Sequence, residues 1–100
     1  MNDVFKRLYR FDLKSILIFV SVVETKNLYA AAQDVGCSGS FASILLKKIR
    51  TTSSISLFTR EGRELRPTQE AIEVACELKR CLLEIDRLNN EIESLIKRVN

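Results

Sequence analysis

The 100-residue sequence predicts a mainly α-helical fold: three helices and a short β-hairpin, followed by one long helix at the carboxyl end. Only three Gly and one Pro interrupt the chain. Apolar residues recur at helical spacing through most of it, and the last third carries one unbroken helical pattern. With 46% hydrophobic residues, the chain can bury the core of one small domain.

Residues 1–11 combine large apolar side chains with Lys6, Arg7 and Arg10. This mixture fits either a short helix or a basic arm. Asp12 then suits the N-cap of a first core helix, which we expect from Leu13 to about Thr25. The helical spacing predicts that Lys14, Ser15 and Glu24 lie outside. The predicted buried face comprises Leu13, Ile16, Leu17, Phe19, Val20 and Val23.

Residues 27–50 read as two short helices joined by a tight turn. Three consecutive alanines, residues 30–32, allow the first helix to lie close to a neighbour. Gly36 suits the left-handed conformation that ends a helix, and Ser38 suits the N-cap of the next. This arrangement predicts a helix-turn-helix whose second helix is the candidate DNA reader. A simple packed helical pair explains these residues equally well.

A β-hairpin is predicted next, because two short extended runs, Leu57–Arg60 and Glu64–Arg66, flank Gly62. A hairpin with several arginines directly after a helix-turn-helix is what a winged domain places beside the DNA backbone. The charge pattern agrees, since residues 38–68 carry a net charge of +4 and residues 69–100 carry −2. A positive charge concentrated in the middle third is what a localised phosphate-binding surface needs.

The final helix is predicted from Gln69 to about Val99, with Thr68 as its N-cap. Its apolar residues follow a near-heptad pattern, which implies a partner helix along its length. A helix of about thirty residues spans about 45 Å, more than the preceding 68 residues can cover, so we predict a homodimer through residues 69–99. The alternative is a helix that folds back on its own domain. The candidate dimerisation residues are Leu78, Leu82, Ile85, Leu88, Ile92, Leu95 and Val99.

Over roughly residues 12–98, the sequence resembles the N-terminal DNA-binding region of LysR-type bacterial transcriptional regulators. The positions that carry the resemblance are Leu13, Ile16, Phe19, Val22, Glu24, Asn27-Leu28, Ala31-Ala32, Ser38, Ser43, Leu57-Phe58, Arg60, Gly62-Arg63 and Thr68. The resemblance implies a winged helix-turn-helix in residues 1–68 and a linker helix in residues 69–100 that pairs antiparallel with its twin. It also implies a cytoplasmic regulator that binds dyad-symmetric double-stranded promoter DNA. We expect the family's effector-binding domain to be lacking.

The resemblance also assigns the DNA-binding residues. The surface facing the DNA groove comprises Gly39, Ser40, Ser43, Ile44 and Lys47, behind the capping Ser38. Clustered charge favours Lys48, Arg50, Arg60 and Arg63 as phosphate anchors.

Several of these positions depart from the family pattern. Gly39-Ser40 stands where Gln-Pro or Gln-Ser is usual, and Ile44 and Ala30 replace frequent basic residues. The groove-facing surface therefore has no Arg, Asn or Gln for a bidentate base contact, and we expect modest direct readout.

The sequence offers no support for an enzyme. It has no His, no Cys-rich metal spacing and no glycine-rich phosphate loop, so we expect no cofactor, no metal and no small-molecule ligand. Three cysteines without CxxC spacing favour reduced thiols. The longest apolar run, about residues 16–23, is too short to span a membrane.

A second functional hypothesis remains open. In it, the chain is an interaction module whose long helix pairs with another regulator and modulates it, while its own DNA binding is weak. Ile44 and Ala30 favour this alternative, whereas the basic residues from Lys47 to Arg66 favour DNA binding.

Overall fold

The computed structural model describes residues 1–99, and the side chains of residues 1–98. Its elements are five helices and a two-stranded antiparallel sheet. In chain order they are α1 (Asn2–Leu8), α2 (Leu13–Thr25), α3 (Leu28–Val35), α4 (Gly39–Thr52), β1 (Phe58–Glu61), β2 (Glu64–Pro67) and α5 (Gln69–Val99).

The predicted fold is confirmed. Helices α2 to α4, the hairpin and the long α5 all form within a few residues of their predicted limits. Residues 1–11, for which the sequence left two possibilities open, contain the additional helix α1.

Helix α2 is the centre of the core, and it packs against α3, α4, α5 and β2. Its buried face differs from the predicted one, because Ile18, Ser21 and Val22 are also buried while Ile16, Leu17 and Val23 are only half-buried. Ser15 is 1% exposed and Leu13 is 46% exposed, so the prediction for both is wrong. Ser15 tolerates burial because its hydroxyl donates a hydrogen bond to Asp12 Oδ2 at 3.0 Å. The buried side chains of α2 are Ser15, Ile18, Phe19, Val20, Ser21 and Val22.

The helix caps follow from local chemistry. Asp12 accepts hydrogen bonds from two N–H groups at the start of α2, and Asn27 accepts one from Ala30 N at 2.9 Å. Thr68 accepts one from Ala71 N at 3.2 Å at the start of α5. These three caps satisfy backbone donors that a helix start leaves without intrahelical partners.

One hydrogen bond joins the hairpin to the helical body, and two more close the base of the hairpin. Leu65 N–H donates to the carbonyl of Lys26 at 3.0 Å, and Lys26 has a left-handed backbone with φ 59°. The Thr68 hydroxyl donates to the Ser56 carbonyl at 2.8 Å, and Thr68 N–H donates to the Leu57 carbonyl at 3.0 Å. The Phe58 ring also packs edge-on against Phe19, with ring centres 5.8 Å apart.

Candidate nucleic-acid interface

The turn between α3 and α4 orients the candidate reading helix. Gly36 has φ +88°, a conformation that a side chain would strain. Its N–H and that of Cys37 both donate to the Ala32 carbonyl, at 2.9 and 3.0 Å. Ser38 Oγ then accepts a hydrogen bond from Phe41 N–H at 3.1 Å, as the sequence predicts. The start of α4 is thereby fixed relative to α3.

Helix α4 has one buried and one exposed face. Ala42, Leu45 and Leu46 are buried in the core. The opposite face leaves Ser40, Ser43, Ile44 and Lys47 exposed, while Gly39 is half-buried. The residues assigned to the DNA groove by resemblance therefore lie together on the solvent side of one helix.

The hairpin brings two arginines to the same side of the molecule. Arg60 lies in two adjoining surface depressions that both include Leu28 and Leu65. The first depression also contains Ser43, Lys47 and Arg50 of α4. The second contains Arg63, Asn27 and Tyr29. We call the four cations Lys47, Arg50, Arg60 and Arg63 the basic surface.

The cations of the basic surface differ from neighbouring cations in their ion pairing. Within the part of the chain that the structure describes, none of its four cations forms an ion pair. Arg66, on the same hairpin, lies 3.2 Å from Glu61 and 3.6 Å from Glu64. The acidic residues of the hairpin thus partly neutralise Arg66 and leave Arg60 and Arg63 without a partner carboxylate.

Lys48 lies apart from the basic surface. Its Nζ is 2.6 Å from Asp12 Oδ2, at the start of α2. The Lys48 ammonium, helped by hydrogen bonds from Ser15, lowers the pKa of the Asp12 carboxyl from 3.8 to about 2. Lys48 therefore already has an anionic partner within the protein, unlike Lys47 one position before it.

Tyr29 is a residue of this surface that the sequence analysis missed. Its side chain is 73% exposed and lies over the start of α4. A Cβ on Gly39 would come within 2.8 Å of Tyr29 Cε1, so the glycine allows the ring to pack there. The sequence gives no sign of this contact, because it forms across the turn between α3 and the start of the candidate reading helix.

Four of the candidate dimerisation residues, Ile85, Leu88, Ile92 and Leu95, are exposed in the single chain. Leu88, Ile92 and Leu95 are 42%, 52% and 57% exposed, whereas Leu78 and Leu82 pack partly against the core. Val99 is in α5, but its side chain lies outside the described residues. We call the row Leu78, Leu82, Ile85, Leu88, Ile92 and Leu95 the apolar stripe.

The described residues show neither a metal-binding cluster nor a membrane-spanning helix. Among the described residues, no group of three or more His, Cys, Asp or Glu side chains is placed to hold a metal ion. No helix of residues 1–99 has the length and apolar character needed to cross a membrane.

Comparison with known proteins decides the family. Residues 13–72 match the family described as "Bacterial regulatory helix-turn-helix protein, lysR family". The chain belongs to the LysR family. Its relatives include the HTH-type transcriptional regulator GalR of Pseudomonas putida, which is 27% identical over 88 residues. That alignment covers 88% of this chain and 22% of GalR.

Solved structures of LysR-type proteins show the same fold. A probable transcriptional regulator from Pseudomonas aeruginosa, PA0477, superposes with a TM-score of 0.75 and 30% identity. The match covers 84% of this LysR-family chain and 28% of that one. The CbnR_DBD–DNA complex gives a TM-score of 0.72 at 18% identity, over 85% of this chain and 98% of that one. The chain thus spans about a quarter of the length of its longer relatives.

Proposed function

We propose that this chain is a LysR-type DNA-binding transcriptional regulator that acts as a dimer on dyad-symmetric promoter DNA. In this proposal, residues 1–68 bind DNA and residues 69–100 form the dimerisation helix. The observation that carries the proposal is the basic surface, because it joins the exposed face of α4 to the hairpin. The structurally similar CbnR_DBD and BenM_DBD were crystallised in complexes with DNA, which supports the same assignment.

Each element has a distinct role in the proposed complex. Helix α4 enters the major groove with Ser40, Ser43, Ile44 and Lys47, behind its N-cap Ser38. Hydroxyls bond to several bases, and Ile44 can touch a thymine methyl. Arg50, Arg60 and Arg63 contact phosphates, with Lys48 as an additional anchor that must leave Asp12 or share its charge.

The proposal also predicts how selective the protein is. A good bidentate base contact contributes about 1–3 kcal/mol of discrimination, and the exposed face of α4 from Ser40 to Lys47 has no Arg, Asn or Gln. Phosphate contacts position a protein without reading sequence. We therefore propose that DNA shape contributes a large share of specificity.

The salt dependence of DNA binding tests the basic surface. We expect the logarithm of the affinity for a random-sequence duplex to fall linearly with the logarithm of salt concentration, by about 0.9 for each phosphate contact. Arg63→Ala should reduce that slope by about one contact in each DNA-bound protomer and should weaken all sequences alike. Fluorescence anisotropy at several salt concentrations measures both effects.

Arg66→Ala is the matched control, because Arg66 is on the same hairpin but is paired with Glu61 and Glu64. We expect it to change the slope much less than Arg63→Ala. Equal slopes for wild type and Arg63→Ala would remove the hairpin from the DNA surface. Equal losses for both variants would show a general charge effect instead of a contact.

A second candidate function is an interaction module that pairs through α5 with another regulator. The exposure of Leu88, Ile92 and Leu95 favours it, as does the lack of long polar side chains at Gly39 and Ile44. Salt-insensitive, very weak DNA binding together with a stable wild-type fold would support this second function over the first.

A further inference from the structure

The start of the chain forms one wall of an apolar groove. Leu8 of α1 and Phe11, which follows it, line this groove together with Leu78 and Leu82 of α5. Leu13 and Ile16 of α2 also line it. The groove therefore borders the first half of the apolar stripe.

Helix α1 gains little stability from its own protomer. It has seven residues and none of them is buried, and so short a helix is marginal in water without tertiary packing. Leu8 and Phe11 remain 58% and 62% exposed although both line the groove. The protomer alone therefore provides little packing for these two side chains.

This wall lies before the region that defines the family, since the family match begins at residue 13. We propose that Leu8 and Phe11 form a clasp that closes over the distal half of α5 from a second copy of the chain. The proposal rests on the proposed dimer and adds to it a contact made by residues 1–11.

The spacing of the apolar stripe identifies a second copy as the occupant. The pairs Leu78 and Leu95, and Ile85 and Leu88, are each centred on the same point of the helix, just before Arg87. The pair Leu82 and Ile92 is centred within one residue of it. Two antiparallel copies of α5 centred there place the partner's Ile92 and Leu95 at the level of Leu82 and Leu78. That level is where the clasp lies.

Charge favours the same arrangement. Residues 1–11 contain three basic side chains and one acidic one, whereas residues 84–93 contain four acidic and one basic. Among the described residues, Lys6, Arg7 and Arg10 form no ion pair. We expect an antiparallel pairing to bring this basic segment toward the acidic residues 84–93 of the partner's α5.

Sedimentation of the full chain over a range of concentrations tests the clasp. We expect Phe11→Asp and Leu8→Asp each to raise the dimer dissociation constant at least tenfold. Tyr9→Asp is the matched control, because Tyr9 is 91% exposed, does not line the groove and gives the same change of charge. It should change the constant less than twofold.

Backbone hydrogen exchange of residues 2–8 provides a second measurement. The amides of α1 should be protected in the wild-type dimer and lose protection in the Leu88→Asp monomer. Leu88→Asp could split the dimer while Phe11→Asp and Leu8→Asp affect it no more than Tyr9→Asp does. That result would overturn the clasp and leave the proposal of a dimer standing. Protection of α1 that persists in the monomer would overturn it as well. A monomeric wild type would instead refute the proposed dimer, and the clasp with it.

Discussion

The two halves of α5 have the same apolar periodicity and opposite surroundings. Ala71 and Ala75, near its start, are buried in the core. Leu88, Ile92 and Leu95, near its end, are about half exposed. Helix α5 packs against α2 and β2 of its own chain, and the buried residues among its described side chains lie in the first half. The second half instead exposes apolar side chains that the proposed dimer would bury.

The largest effect is expected from a charge at the buried end of α5. Ala71 is 0% exposed, so Ala71→Asp places a carboxylate in the core without a partner, at a cost of several kcal/mol. That cost is a large fraction of the 5–15 kcal/mol by which domains are typically stable. We expect urea unfolding followed by circular dichroism to show a large loss of stability.

Ile72→Asp is the control for this prediction, since Ile72 is the next residue and is 41% exposed. It should unfold near the wild-type midpoint. If Ala71→Asp unfolded there too, the first half of α5 would not be part of the core.

The same kind of substitution at the distal end of α5 should split the proposed dimer and leave the fold of the protomer intact. Leu88→Asp puts a charge against the partner helix in the proposed dimer, so we expect dissociation to monomers with residues 1–68 still folded. Because both half-sites act together on dyad DNA, operator affinity should fall strongly. Sedimentation and anisotropy measure the two effects.

Leu83→Asp serves as the control for Leu88→Asp, because Leu83 is 64% exposed and lies off the apolar stripe. It should remain dimeric. The proposed dimer would be refuted if the wild type were a monomer at micromolar concentration and Leu88→Asp left DNA binding unchanged. The distal half of α5 would then not pair with a second copy of the chain.

The smallest effect is expected at the surface of the helical body, where Asp12 and Lys48 pair. The folded pKa of Asp12, about 2, lies below its ordinary value of 3.8. The pair therefore stabilises the fold above about pH 4, and this contribution is lost as the pH falls toward 2. Both side chains are partly exposed, so the contribution at neutral pH should be under about 1 kcal/mol.

Asp12→Asn isolates the charge, because Asn is also a good N-cap. We expect the variant to be slightly less stable than wild type at pH 7, with the difference shrinking as the pH approaches 2. If the difference in stability between Asp12→Asn and wild type stayed constant with pH, it would come from the cap and not from the ion pair.

Much of this fold could be predicted from the sequence because its signals are local. Asp12, Asn27, Ser38 and Thr68 cap helices through neighbouring backbone groups, and the long pattern after Gln69 has no competing interpretation. The buried face of α2 was less predictable, because Ser15 is buried only with the help of Asp12. Hydropathy alone cannot show such compensation.

The candidate site was predictable in its residues and not in its arrangement. The sequence placed Lys47 and Lys48 together as cations, yet a partner 36 residues away in sequence distinguishes them. The position of Tyr29 over Gly39 likewise depends on contact across a turn. Such differences arise from tertiary geometry, which no short window of sequence contains.

The hydrogen bonds of the hairpin have a consequence for the proposed DNA complex. Because Leu65 is bonded to Lys26, and Thr68 closes the base of the hairpin through Ser56 and Leu57, the protein restrains the position of the hairpin relative to its helices. We expect a bound duplex to complete the match, by the width of its grooves or by bending. The stiffness of the DNA sequence, which the protein need not touch, would then enter the binding free energy.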